Sequence, residues 1–257
     1  MTACVALLLV DIARTSFAAS PEALQRVRQT RYCEACDLRH APLGGRNLRY
    51  ASLARSDLRG ADLTNAVLYQ AQLPGVDLRG ARLQGANLAR ANLAGAQLSG
   101  LDLSGARLGH ANLAGADLTG ARLAGAMLHG ANLQGARLGR ADLTGAHLSG
   151  SRLDQANLEG ARLVNAHLEA SLREARLTGA NLAGATLVRA QLEDAILRGA
   201  DLQGASLDHA LLRGADLAGA DLRGTSLRHA HLDPAQLNGA RLEGADLTGA
   251  GRFNPRY

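Results

Sequence analysis

The sequence predicts a repeat solenoid rather than a globular domain, and three observations carry that prediction. Leucine recurs every fifth residue: in residues 116–138, ADLTGARLAGAMLHGANLQGARL, it stands at 118, 123, 128, 133 and 138. Alanine stands two positions before each of these leucines. Neither standard period accounts for this, since an amphipathic helix repeats every 3.6 residues and a half-buried strand every two. Glycine before most of the alanines also weakens any long helix. The five-residue unit is therefore the structural unit, and self-similarity of this kind marks solenoids.

The leucines run without a miss from Leu38 to Leu168, which is 27 pentads, and again from Leu172 to Leu247, which is 16 more. The position two before the leucine is alanine with few exceptions, mostly small or apolar: Cys36, Ser56, Val76, Leu101, Ser151 and Thr225; Arg46 is the outlier. The unit A-(D/N)-L-x-x resembles that of the pentapeptide-repeat family, and the resemblance covers residues 33–249. It implies an all-β fold, a right-handed quadrilateral parallel β-helix. Each pentad would form one side of a square and four would make a coil. The central leucine and the residue two before it would point inward. Forty-three pentads make about eleven coils, and at about 4.8 Å per coil the rod is on the order of 50 Å long.

A coil of twenty residues has a consequence that the sequence itself checks, because positions twenty apart must then stack at strand spacing. On one side the residues before the leucines read Asp62, Arg82, Asp102, Arg122, Asp142 and Arg162. Opposite charges alternate, as a stack of close neighbours favours. A second side reads Asn92, Asn112 and Asn132, the makings of an amide ladder. A third begins Asp37, Asp57 and Asp77, with Arg39, Arg59 and Arg79 two residues on to offset the like charges.

Taken in chain order, residues 1–18 read as a secretory signal: an apolar stretch at 3–10 and the small-residue site Ser16-Phe17-Ala18. No basic residue precedes the stretch and Asp11 follows it, so an N-terminal extension is the competing reading. Export would make the protein periplasmic or secreted; the alternative is cytoplasmic. Residues 19–32 form an N-terminal capping segment. Ser20 caps a helix, Pro21 fits its first turn and Glu22 suits its positive end, giving a short helix from Pro21 to about Arg28 over the open end of the stack. Solenoid ends need such covers. In "CEAC", Cys33 lies five before Leu38 and Cys36 two before it. Both therefore fall on inward positions, as a core pair or a disulfide; a redox pair or half a zinc site is the other reading. Residues 33–249 are the β-helix. Within it, "HLEASLREARL" loses one residue after Leu168, which tightens a corner and coincides with a run of charge at Glu169, Arg173, Glu174, Arg176, Glu193 and Asp194. That run is either a recognition surface or drift at a kink. Residues 250–257 are a C-terminal cap or tail, with Phe253 folding over the last coil and Pro255 discouraging strand pairing.

Composition narrows the function. Net charge is +5, every basic side chain is arginine, tryptophan is absent and phenylalanine occurs twice. The charges alternate along the chain rather than forming dense runs, which disfavours nucleic acid as a partner. No apolar run is long enough to span a membrane. No set of unlike groups converges as catalysis requires, so no catalytic residue, cofactor site or cofactor is read, and the chain is read as not an enzyme. The frequent glycines are periodic corner residues rather than a phosphate loop.

Six of the eight histidines fall on one side of the square if the deletion is absorbed without rotating the coils: His110, His129, His147, His167, His209 and His229. His147 and His167 then stack, as do His209 and His229. They are read as tolerated ladder residues, with pH-sensitive partner binding or a shared metal ion at His147 and His167 as alternatives. The leading function is a non-catalytic rod that presents flat ladder surfaces to another macromolecule, a protein in first place, with its oligomeric state open. The alternative comes from the resemblance: some family members imitate duplex DNA and bind type II topoisomerases such as gyrase. Positive net charge, leucine rather than phenylalanine at the centres and a short C-terminal tail all depart from that pattern. Binding to envelope polymers or anionic lipid is a third class with no residue cluster behind it.

Overall fold

The structure, a computed structural model, describes residues 18–251. Nearly every pentad repeats one set of backbone bonds. At Leu58, the preceding Asp57 donates its N–H to Cys36 O of the coil before at 2.9 Å, and Leu58 donates to Asp77 O of the coil after at 2.8 Å. Ala61 then closes the turn by donating to Leu58 O at 3.0 Å. The residue before each leucine so makes a single parallel bridge to the residue twenty on, as in Asp57 to Asp77. Among the described residues no strand is longer than this one residue, because a corner follows at once. Four pentads close one coil of a right-handed quadrilateral β-helix.

The corner explains the glycine. Its second residue has positive φ, the signature of a type II turn, and Gly120 there has φ 63° with no atom near a hypothetical Cβ. At other corners a non-glycine residue accepts the strain: His110 occupies the same position at φ 57°.

Four faces run along the rod, named by their leucines. Face 1 holds Leu38, Leu58 and their successors, face 2 Leu43 and Leu63, face 3 Leu48 and Leu68, and face 4 Cys33, Leu53 and Leu73. From Leu38 to Leu232 every central leucine is buried, in most pentads with alanine beside it, so the core is one unbroken column made almost wholly of two residue types. Burial of this apolar area drives folding. The few polar residues in the small inward position bond locally: Ser56 Oγ donates to Cys33 O at 2.7 Å and Thr225 Oγ1 to Leu202 O at 2.8 Å.

Helix α1, Pro21–Thr30, covers the first coil. Its cap is as the sequence predicts: Ser20 Oγ accepts from Ala23 N and Pro21 opens the first turn. It runs two residues beyond the expected Arg28 and ends at Arg31 in the left-handed conformation. Ala23 and Val27 bury against the core. At the other end Leu242 and Leu247 are only half-buried. Residues 1–17, with Cys4 and the signal-peptide reading, and residues 252–257, with Phe253 and Pro255, lie outside the described residues.

The missing residue after Leu168 is absorbed within one corner. Bridges there join residues nineteen apart, Arg152 to Ser171, Asn157 to Arg176, Arg162 to Asn181 and His167 to Thr186, and return to twenty at Ser171 to Gln191. The faces stay aligned through the deletion. The corner itself holds one turn residue, Glu169, and no bond from Ala170 N to Leu168 O closes it.

One irregularity is invisible in the leucine count. Leu101 fills a slot that holds alanine in the neighbouring coils, at Ala81 and Ala121. The bonds that the pattern requires from Gly80, Leu83, Gly85, Asp102 and Arg107 N–H to the adjoining coil are all missing here. The extra methylenes hold two coils apart, an instance of overpacking.

Candidate interaction surface

Side chains on a face form straight columns, so each expected site residue is placed by its face. The Asp62 to Arg162 column lies on face 2, but it is not a continuous ladder. Arg82 reaches back to Asp62 at 2.7 Å, Arg122 to Asp102 at 3.8 Å and Arg162 to Asp142 at 4.0 Å. Arg82 and Asp102 form neither a bridge nor an ion pair, because Leu101 separates their coils. The column is thus three dyads. What holds its carboxylates is chiefly local. The Thr144 hydroxyl donates to Asp142 at 2.6 Å and holds that carboxyl below its usual range, with Arg162 contributing less. Asp62 and Asp102 are lowered first by hydrogen bonds from Thr64 and Ser104.

Face 1 is better paired. Arg59 donates through Nε and a terminal nitrogen to the two oxygens of Asp57 at 2.9 and 2.6 Å, and Arg39 and Arg79 clasp Asp37 and Asp77 in the same way. Each Arg39 and Arg59 also approaches the aspartate of the next coil, at 3.8 and 3.7 Å. These forks lower the pKa of Asp37, Asp57 and Asp77. On face 4 an amide chain runs Asn132 to Asn112 to Asn92 to Gln72, each Nδ2 donating to the oxygen before it at 3.1–3.2 Å.

Cys33 and Cys36 are joined as a disulfide, with sulfurs 1.99 Å apart across the first corner beneath α1. Cys33 sits in a central position and is fully buried; Cys36 takes the small inward position and is half-buried.

The six histidines line face 3. His147 and His167 stack with centroids 4.9 Å apart and planes 6° from parallel, and His209 and His229 at 5.0 Å and 13°. His110 and His129 meet edge to face at 5.2 Å. An imidazole lone pair lies in its ring plane. Parallel stacked rings therefore do not direct two donors at one ion in this arrangement of His147 and His167. Among the described residues no group of three or more acidic, histidine or cysteine side chains is placed to hold a metal.

The charges alternate along face 2, but around the perimeter they segregate, which the linear reading missed. Between Glu34 and Asp154 every carboxylate belongs to face 1 or face 2: Asp37, Asp57, Asp62, Asp77, Asp102, Asp117 and Asp142. Faces 3 and 4 have none over this length. Face 3 instead carries Arg46, Arg49, Arg90 and Arg107, with no carboxylate within ion-pair distance among the described residues. Tyr50 and Met127, two of the three exposed large apolar side chains among the described residues, also lie there. Tyr50 meets Tyr69 edge to face at 6.3 Å, and the Arg49 guanidinium lies 6.0 Å from the Tyr69 ring centre. Assigning each residue to its face by counts of twenty, and nineteen across the deletion, is the signal that finds this cluster.

The concavities at the corners are shallow and open. One is lined by Thr119, Arg140, Asn157 and Glu159, another by Arg152, Glu169, Ser171 and Arg189. Among the described residues no helix is long and apolar enough to cross a membrane.

The family model described as pentapeptide repeats (8 copies) matches residues 43–80, 71–109, 102–140, 136–172, 175–214 and 210–249. Among solved structures, the chain is similar to HetL, a pentapeptide repeat protein involved in heterocyst differentiation regulation from the cyanobacterium Nostoc sp. strain PCC 7120. The two are 38% identical over 77% of this chain and 87% of that one, with a TM-score of 0.44. It is similar at 18% identity to QnrB1, a plasmid-mediated fluoroquinolone resistance protein, over 87% of this chain and 91% of that one, TM-score 0.32. A pentapeptide repeat protein from the thylakoid lumen of Arabidopsis thaliana is 28% identical over 51% of this chain and 69% of its own, TM-score 0.16. No curated protein matches the chain.

Proposed function

Since this chain belongs to the pentapeptide-repeat family, whose model matches most of its length, we propose that it is a non-catalytic rod whose flat faces bind a partner protein. One observation supports this above the others. The backbone donors and acceptors of each coil are spent on adjoining coils, so each face offers only straight columns of outward side chains. Such columns make a broad recognition surface and no convergent reaction centre. The disulfide at Cys33 and Cys36 favours an oxidising compartment, periplasmic or secreted, over the cytoplasm.

Photocrosslinking residues introduced one at a time at Ser99, Ala124, Ala89 and Ala114 sample faces 1 to 4 in turn. The expected result is a protein adduct from one face that excess unlabelled protein competes away. Absence of protein adducts from all four overturns the reading.

The topoisomerase-binding alternative needs a rod with a continuous negative surface. Between Glu34 and Asp154 the carboxylates are confined to faces 1 and 2, where arginine or hydroxyl partners hold them, and faces 3 and 4 carry none. Protection or inhibition of gyrase supercoiling at micromolar protein restores that alternative.

A further inference from the structure

Resting on the reading of the rod as a protein-binding module, we infer that face 3 between Asn47 and His147 is the docking face, and that its partner is an acidic protein segment lying along the rod axis. The argument begins with charge. All but one of the arginines on faces 1 and 2 over this length, Arg140, are neutralised in place: Arg39, Arg59 and Arg79 by aspartates of their own pentads, and Arg82, Arg122 and Arg137 by aspartates of the coil before. On face 3, Arg46, Arg49, Arg90 and Arg107 have no such partner, and all four are exposed. They stand on the first, third and fourth of six successive coils. Over this stretch of about 24 Å the face holds no carboxylate at all. The first is Glu169, one coil beyond, and it is taken up by the Ser149 hydroxyl at 2.6 Å.

The side chains between the arginines indicate what kind of anion fits. Tyr50 is 63% exposed and Met127 is 44% exposed, in a protein whose core is otherwise closed. Arginine, tyrosine and methionine are the residues enriched where proteins meet. A nucleic acid fits less well. Duplex DNA carries a charge about every 1.7 Å of axis, far denser than four arginines over the same length. Tyr50 and Tyr69 meet edge to face at one end of the stripe, so they do not offer parallel plates to successive bases. An acidic segment matches on both counts, with carboxylates spaced to meet separate guanidiniums and apolar side chains between them to cover Tyr50 and Met127.

The test compares two triple variants of equal net charge. R49Q/R90Q/R107Q removes three of the four free arginines of face 3, while R82Q/R122Q/R162Q removes the same charge from face 2. The probe is fluorescent poly-glutamate, read by anisotropy, with circular dichroism to check that both variants fold. Binding to the native chain that weakens about tenfold or more in the face 3 variant and little in the face 2 variant is expected. Equal weakening in both means that net charge alone attracts the probe, and overturns the inference. So does absence of poly-glutamate binding, or binding of oligo-dT or phosphatidylserine vesicles through the face 3 arginines without poly-glutamate binding. A competed protein adduct from face 1, 2 or 4 alone in the crosslinking experiment sinks the face assignment and leaves the protein-binding reading intact, whereas no adduct from any face sinks both.

Discussion

Arg82 and Asp102 stand one coil apart in the same column with opposite charges, yet neither a backbone bridge nor an ion pair joins them. The cause is the neighbour of Asp102. Leu101 occupies an alanine-sized slot and props the two coils apart. The amides of Leu83, Gly85 and Asp102 should therefore exchange with solvent faster than those of Leu103, Gly105 and Arg122 one coil on, by on the order of tenfold. Leu101→Ala lets the coils close and should slow the three amides toward their neighbours. Native-state hydrogen exchange of both proteins measures this, and unchanged rates in the variant remove Leu101 as the cause.

The core should respond according to position along the stack. Leu128 is fully buried with coils on both sides, whereas Leu247 in the last coil is half-buried. Leu128→Ala should cost about 2–5 kcal/mol, and Leu247→Ala distinctly less. Urea unfolding of the two variants, followed by far-ultraviolet circular dichroism, gives the comparison. Because stability in a solenoid is nearly additive over neighbouring repeats, equal losses would mean that the C-terminal coil is as well covered as the middle.

Acid should weaken the rod through its paired aspartates. Hydrogen bonds from Arg59 and Arg79 hold Asp57 and Asp77 below their usual pKa, and the Thr144 hydroxyl does the same for Asp142. A carboxyl with a depressed folded pKa stabilises the fold above its unfolded value of about 3.9, and that stabilisation is lost as pH falls through the folded value. The melting temperature should therefore hold steady just above about pH 5 and drop below about pH 4. Asp57→Asn with Asp77→Asn should flatten the drop, which thermal melts across that range would show.

The deletion corner should accept a residue. Glu169 alone makes a turn that elsewhere takes two, and the bond to Leu168 O is lost. A glycine inserted between Glu169 and Ala170 restores the common corner without moving any leucine off its face. Stability should stay level or rise by up to about 1 kcal/mol. A loss of several kcal/mol on denaturant unfolding would show that the short corner is itself adapted to its surroundings.

The Cys33–Cys36 bond is checked most directly by mass. Protein isolated without reductant should gain the mass of two hydrogens on reduction. Quantitative labelling of both thiols before reduction would instead place the native chain in a reducing compartment.

The histidines show how far the sequence could be read. That His147 stacks on His167 follows from their spacing of twenty, and that His209 and His229 share their face follows once the deletion is confined to a corner. That the rings lie parallel, and so do not converge on one ion, depends on side-chain rotation that spacing does not report. The aspartates differ in the same way. Their columns are legible as alternating or repeating charge, but the stronger partners of Asp62, Asp102 and Asp142 are the hydroxyl residues two positions on, a local turn effect that the alternation concealed. The absence of carboxylates from faces 3 and 4 between Glu34 and Asp154 was present in the letters too, hidden because consecutive residues belong to different faces.

The sequence by itself determined the five-residue unit, the inward leucine and alanine, the twenty-residue coil and the capping helix. Each of these rests on local rules: turn conformation, helix capping and the periodic burial of apolar side chains. Only the tertiary structure decided which aspartate each arginine reaches, where Leu101 parts two coils, how one corner absorbs a missing residue and which face is left with unpaired positive charge. Those outcomes are settled between coils, where side chains about twenty residues apart compete for the same space and the same partner.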